Sequence, residues 1–136
     1  MDRAKVIDAG RVAGLLASDR YASGLGIRLK EVGAQTITVE MTVAESMTNF
    51  HGGIHGGVLF SLADCAFSLY SNSYGEQAVA IDTHMVFSAA VAPGENLSAV
   101  VEEVNRGRSL ATYRVVVRRA DGKVAGHFTG TVFRRE

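Results

Sequence analysis

The sequence predicts an α+β domain in which one antiparallel sheet wraps around a single apolar helix. Residues 57–72 have helical composition and are apolar on most sides, unlike a surface helix with one greasy stripe, so a sheet must enclose them. Two strand-like runs precede this helix and four follow it, each bounded by turn residues. A chain of 136 residues with 47% hydrophobic content supports one core and is too short for two ordinary domains.

Each element has its own warrant. Residues 4–17 place Val6, Ile7, Val12, Leu15 and Leu16 at mixed helical spacings, weakened by Gly10 and Gly14, and predict a short amphipathic lead helix within an N-terminal segment 1–21. Runs 27–32 and 36–43 alternate or are β-branched around Gly33-Ala34-Gln35, which predicts a hairpin. After the central helix and Gly75, runs 78–88, 97–104, 110–119 and 124–134 read as strands, with turns at Pro93-Gly94, Arg106-Gly107 and Asp121-Gly122. No linker, repeat or low-complexity stretch interrupts them, so 1–136 is expected to form one domain.

Composition excludes several function classes. Lys plus Arg and Asp plus Glu both number 14, which argues against wholesale binding to nucleic acid or an anionic membrane. No stretch approaches the roughly 20 apolar residues of a membrane span, and one cysteine cannot form an intramolecular disulfide. Asp2, Asp8 and Asp19 interrupt the apolar residues of the N-terminal segment, which therefore lacks the core of a signal peptide; the expected location is the cytoplasm.

The chemistry concentrates between Asn49 and Asp64, a glycine-dense loop running into the apolar helix. Asp64 sits among Leu59, Phe60, Leu62, Ala63, Cys65, Ala66 and Phe67, and no Lys or Arg lies three or four residues away to pair with it. An ionised carboxylate in such surroundings costs several kcal/mol unless it is paired or used, so Asp64 is a candidate catalytic group. Gly56 and Gly57 can adopt backbone angles closed to other residues and can offer bare N–H groups at a helix start, which suits a developing oxyanion. Asp64 follows Gly57 by seven residues, roughly 10 Å along a helix, so one chain cannot easily bring both to one carbonyl. The spacing points to a second subunit.

Other groups are weaker candidates. His51 and His55 stand four apart, but the glycines between them disfavour a helical metal pair, and no HExxH glutamate or cysteine pair accompanies them; no metal is expected. Cys65, next to Asp64, projects about 100° away on the helix and reads as core filler.

The run from Asn49 through His55-Gly56-Gly57 and Leu59-Phe60-Ser61-Leu62-Ala63-Asp64 to Asn72-Ser73 and Gly75 resembles the PaaI group of hotdog-fold acyl-CoA thioesterases, named for phenylacetate degradation. The likeness extends more loosely from Gly26 to Phe133, including Pro93-Gly94-Glu95 and Gly107-Arg108-Ser109. The resemblance implies hydrolysis of an aryl-acetyl-CoA, with Asp64 as general base or nucleophile, Gly56 as oxyanion donor, and His55 and Asn49 as orienting groups. It implies that Gly57, Phe60, Arg106, Arg108 and Ser109 contact substrate, the arginines near coenzyme A phosphates. It further implies a homodimer or homotetramer with the site at the subunit interface, and no cofactor, since coenzyme A arrives with the substrate.

One departure concerns the strand after the helix. Ala80 falls where some relatives place a water-positioning Ser or Thr, which leaves Thr83 or Ser68 as substitutes. The alternatives are a hotdog hydratase or dehydratase, for which Asp64 lacks an evident acid-base partner, and a non-catalytic acyl-CoA sensor.

Overall fold

The computed structural model describes residues 6–135. Strands β1 (Arg28–Val32), β2 (Thr36–Thr42), β3 (Gln77–Phe87), β4 (Asn96–Arg106), β5 (Leu110–Arg119) and β6 (Val124–Arg135) form one sheet in the order β1-β2-β4-β5-β6-β3. Every neighbouring pair is antiparallel. The long helix α3 (Gly56–Ser71) packs on one face of this sheet, against β2, β3, β4, β5 and β6, the arrangement expected of a hotdog fold.

Period-two burial makes the fit. Ile37, Val39 and Met41 of β2 and Leu97, Ala99 and Val101 of β4 are wholly buried, and they alternate with residues on the outer face. Against them α3 sets Leu62, Ala63, Ala66 and Phe67. The Phe67 ring lies 5.7 Å from Tyr113 and 5.3 Å from Phe128, edge-on or tilted as ring quadrupoles prefer. A Cβ on Gly130 would come within 2.8 Å of the Phe67 ring, so this glycine is what allows α3 to sit close to β6.

Side chains fix both ends of α3. His55 caps its start. At its end Asn72 donates Nδ2–H to the Ser68 carbonyl at 2.9 Å and accepts the Ala78 N–H at 2.9 Å, which ties the helix to the start of β3. Buried Ser73 donates to the Tyr70 carbonyl at 2.7 Å. The distal part of the sequence motif, Asn72-Ser73, is therefore structural.

The N-terminal prediction needs correction. The expected helix 4–17 begins outside the described residues at Ala4 and Lys5, and the chain forms two helices, α1 (Ala9–Ser18) and α2 (Arg20–Gly24). Asp19 divides them: its backbone is extended, and its carboxylate accepts the Ala22 N–H at 3.0 Å, a capping bond that restarts the helix. A one-turn 3₁₀ helix, Glu45–Met47, precedes the glycine loop.

Two strand details matter for the site. β4 runs on to Arg106, so this residue belongs to the strand and not to the turn expected there. β3 is an outermost strand with exposed apolar residues on both faces, including Val79, Ile81, Val86 and Phe87. Among the described residues no helix is long and apolar enough to cross a membrane.

Candidate active site

The loop before α3 is a small, internally bonded unit. Thr48 and Ile54 form a bridge, Asn49 N–H donates to the Gly53 carbonyl at 2.8 Å, and Gly52 turns the chain at a φ of 85°. Asn49 Oδ1 accepts the His51 N–H at 2.9 Å. His55 N–H donates to the Met47 carbonyl at 2.8 Å, which aims its imidazole back over the helix start.

His55 Nδ1 accepts the Gly57 N–H at 3.0 Å. That bond satisfies one of the donors a helix start leaves unpaired, and the Val58 N–H bonds the His55 carbonyl at 2.9 Å. Among the described residues the Gly56 N–H has no partner, so it is the free donor at this terminus, whereas Gly57 spends its N–H on His55. Neither glycine has the positive φ expected of it. The reason for glycine is close approach: a Cβ on Gly56 would lie 3.2 Å from the Phe87 ring, and one on Gly57 would lie 3.3 Å from His55 Nδ1.

A cavity of about 460 Å³ opens at this point, lined by Asn49, Gly56, Leu59, Phe87 and Val91 among others. Leu59 is its helical wall, while the Phe60 ring packs edge-on against Phe128 at 5.5 Å. Phe60, partly buried against the core, is not among the residues that line this cavity.

Asp64 is not in that cavity. It follows Gly56 by eight residues on an unbroken helix, roughly 12 Å along the axis. Its carboxylate is half-buried and makes no hydrogen bond or ion pair among the described residues. Burial pushes its pKa up, and the nearby Asp19 carboxylate adds to the effect. The same two causes, with Asp64 itself, push the Cys65 thiol up to about 12, so this buried cysteine is no thiolate nucleophile. Forty-five positions separate Asp19 from Asp64, so nothing local in the sequence links the two acids.

The bulge at Ile81 decides what β3 presents. Ala80 pairs with buried Val132, but the next pair is Asp82 with Thr131, so Thr83 opposes Gly130 and Met85 opposes buried Phe128. Ala80 and Thr83 therefore share the helix-facing side, which simple alternation would not allow.

The expected coenzyme A turn divides in two. Arg108 and Ser109 are exposed. Arg106 turns inward: its guanidinium stacks 4.4 Å over the Tyr74 ring, its Nε stands 4.0 Å from Glu103 Oε1, and its Nη1 is buried without a hydrogen-bond partner among the described residues. Glu103 in turn accepts the Tyr113 hydroxyl at 2.9 Å. Arg134 holds the turn from below, with its backbone N–H on the Ser109 carbonyl at 2.7 Å and Nη1 on the Gly107 carbonyl at 2.5 Å.

The thioesterase superfamily pattern matches residues 51–125, more than half of the chain and all of the segment from His51 through β3, β4 and β5. The chain belongs to the thioesterase superfamily. This thioesterase is 48% identical over 117 residues, 85% of its length and 80% of the relative's, to a Deinococcus radiodurans protein named only as an esterase. It is 34% identical over 113 residues to the acyl-coenzyme A thioesterase PaaI of Escherichia coli, covering 83% of this chain and 81% of that one. The E. coli PaaI structure superposes with a TM-score of 0.89 at 31% identity, over 93% of this chain and 92% of PaaI. A Streptococcus pneumoniae thioesterase solved with coenzyme A superposes at 0.76 with 25% identity, over 80% and 85% of the two chains. The chemistry of this thioesterase is hydrolysis of a thioester.

Proposed function

We propose that the protein hydrolyses an aryl-acetyl-CoA to the free acid and coenzyme A, in a site shared by two copies of the chain. The observation that carries the shared site is the separation of its parts. Gly56, whose N–H has no partner among the described residues, lines a cavity with no carboxylate in its lining, and the Asp64 carboxylate, also without a partner among the described residues, stands roughly 12 Å along the same helix. A second copy related by a two-fold axis would set each Asp64 against the other chain's Gly56. The unpaired outer edge of β3, with its exposed apolar residues, is a surface suited to such pairing.

In this reading the Gly56 N–H polarises the thioester carbonyl, and Asp64 takes a proton from water as its oxygen bonds to the carbonyl carbon. The tetrahedral oxyanion is held at the helix start, where no reorganisation of donors is needed. Its collapse breaks the carbon–sulfur bond, and the proton on Asp64 passes to the departing coenzyme A sulfur. His55 keeps Gly57 and the loop in place, Asn49 faces the reacting group from the cavity wall, and Thr83 is the hydroxyl on β3 suited to holding the water. Arg108 is the guanidinium left at the surface to meet a phosphate.

Support for an acyl-CoA substrate comes from the similarity to PaaI and to the protein solved with coenzyme A. The experiment is a panel of phenylacetyl-, hydroxyphenylacetyl-, benzoyl- and fatty acyl-CoA esters scored by thiol release. The reading expects the first two to have the highest kcat/KM. A flat profile, or a preference for long aliphatic chains, would contradict it.

A further inference from the structure

We propose that Tyr21 is a specificity-determining residue of this site, its ring being the wall against which a flat aromatic acyl group stacks beside Asp64. The inference rests on reading Asp64 as the catalytic carboxylate and names the feature of the acyl group that the site recognises.

Beyond its first turn α3 leaves only Phe60, Ser61, Asp64 and Ser68 incompletely buried. The Phe60 ring lies against Phe128, so the open stripe is Ser61, Asp64 and Ser68, at spacings of three and four that align them on one face. The short helix α2 borders this stripe. The Tyr21 and Ser61 hydroxyl oxygens are 2.8 Å apart, and Ser61 gives its single proton to the Gly57 carbonyl at 2.8 Å, so Tyr21 is the donor. Ser61 precedes Asp64 by three residues, about 4.5 Å along the axis.

Yet the Tyr21 side chain is not packed into the core: the residue is 68% exposed. A tyrosine held at its hydroxyl but uncovered on its ring has already lost rotamer freedom without burying its apolar faces, which makes it a pre-ordered contact surface. Asp19, two residues earlier in the same capping turn, adds to the upward push that burial gives the Asp64 pKa, in keeping with the Tyr21–Ser61 bond that sets this turn on the Asp64 face of the helix. The Tyr21 face is thus a surface that an aryl ring carried on a thioester at Asp64 would contact.

The test compares wild type, Tyr21→Phe and Tyr21→Ala on phenylacetyl-CoA and butanoyl-CoA. Tyr21→Ala should lower kcat/KM for phenylacetyl-CoA by about 3- to 10-fold, through KM, and change butanoyl-CoA by less than about 2-fold, the scale of one aromatic stacking contact. Tyr21→Phe, which keeps the ring, should retain the aryl preference. Equal losses on both esters, or none, overturn the proposal. So does a change in oligomeric size, which would assign the ring to a subunit contact. If the wild type hydrolyses neither ester, the acyl-CoA reading falls, and calorimetric titration of phenylacetyl-CoA into Asp64→Asn with and without Tyr21→Ala decides the Tyr21 claim. Weaker binding by the same factor supports it; equal affinity, or no binding to either protein, overturns it.

Discussion

His55 Nδ1 accepts the Gly57 N–H at 3.0 Å, and this one bond divides the labour at the head of α3. The imidazole closes the helix start and leaves the neighbouring Gly56 N–H as the donor without a partner among the described residues. A residue in the proposed catalytic loop is thus also a helix cap.

His55→Ala should therefore lower stability as well as turnover. Loss of an N-cap costs about 0.5–2 kcal/mol, and thermal melting should register it. His55→Asn supplies a side-chain oxygen at the same place and should recover most of the stability. If His55→Ala melts like the wild type, the cap contributes nothing measurable.

Asp64 gives a prediction with opposite signs for activity and stability. Asp64→Asn should lower kcat by about 10²- to 10⁴-fold, the usual scale for a general base. Because burial first and Asp19 second hold its pKa above the ordinary 3.8, the folded protein binds this proton more tightly than the unfolded chain does. That contribution to stability is full below 3.8 and is lost as pH rises through the folded value. At neutral pH Asp64→Asn should thus melt higher than the wild type, with the gap closing in acid. Asp19→Asn should move the acid limb of the rate profile to lower pH, and an unmoved limb would mean that Asp19 does not act on Asp64.

Cys65, its thiol held near 12, should resist alkylation by iodoacetamide at neutral pH in the folded protein. Cys65→Ala should keep turnover within about 2-fold of wild type, since the thiol does no chemistry in this account. Fast labelling that abolishes turnover would reopen the thiol as a participant.

Gly130→Ala tests how α3 is seated. The new methyl would meet the buried Phe67 and Phe128 rings at 2.8 and 2.9 Å, and overpacking of this kind costs about 1–3 kcal/mol. Denaturant melting should show the loss, and an unchanged midpoint would mean that the rings can retreat.

What the sequence made legible follows from where its signals are local. An all-round apolar helix can only be enclosed, so the relation of α3 to the sheet was readable from residues 57–72, and the hairpin at Gly33 was readable from β-branched alternation. Asp64 stood out because an unpaired acid among apolar neighbours is costly. The misreadings arose from long-range geometry. Gly56 and Gly57 are glycines because of Phe87 and His55, not because of backbone angle, and Phe87 is far away in the chain. The bulge at Ile81, which turns Thr83 toward α3, has no glycine or proline to announce it. Arg106 looked like a turn residue beside Gly107, but Tyr74 and Glu103 draw it inward. Asp19 and Tyr21 reach the site only through the packing of α2 on α3.

Subunit exchange tests whether Gly56 of one chain works with Asp64 of another. Asp64→Asn and Gly56→Pro homo-oligomers should each be folded and nearly inactive, since removing a general base or an oxyanion donor typically costs about 10²-fold or more. Mixed dimers hold one site with both defects and one with neither. Thiol release should therefore return on exchange to about half the wild-type rate per dimer. Verified mixed dimers that remain as inactive as both parents, with each parent folded, would contradict it and would place the carboxylate and the donor in the same chain.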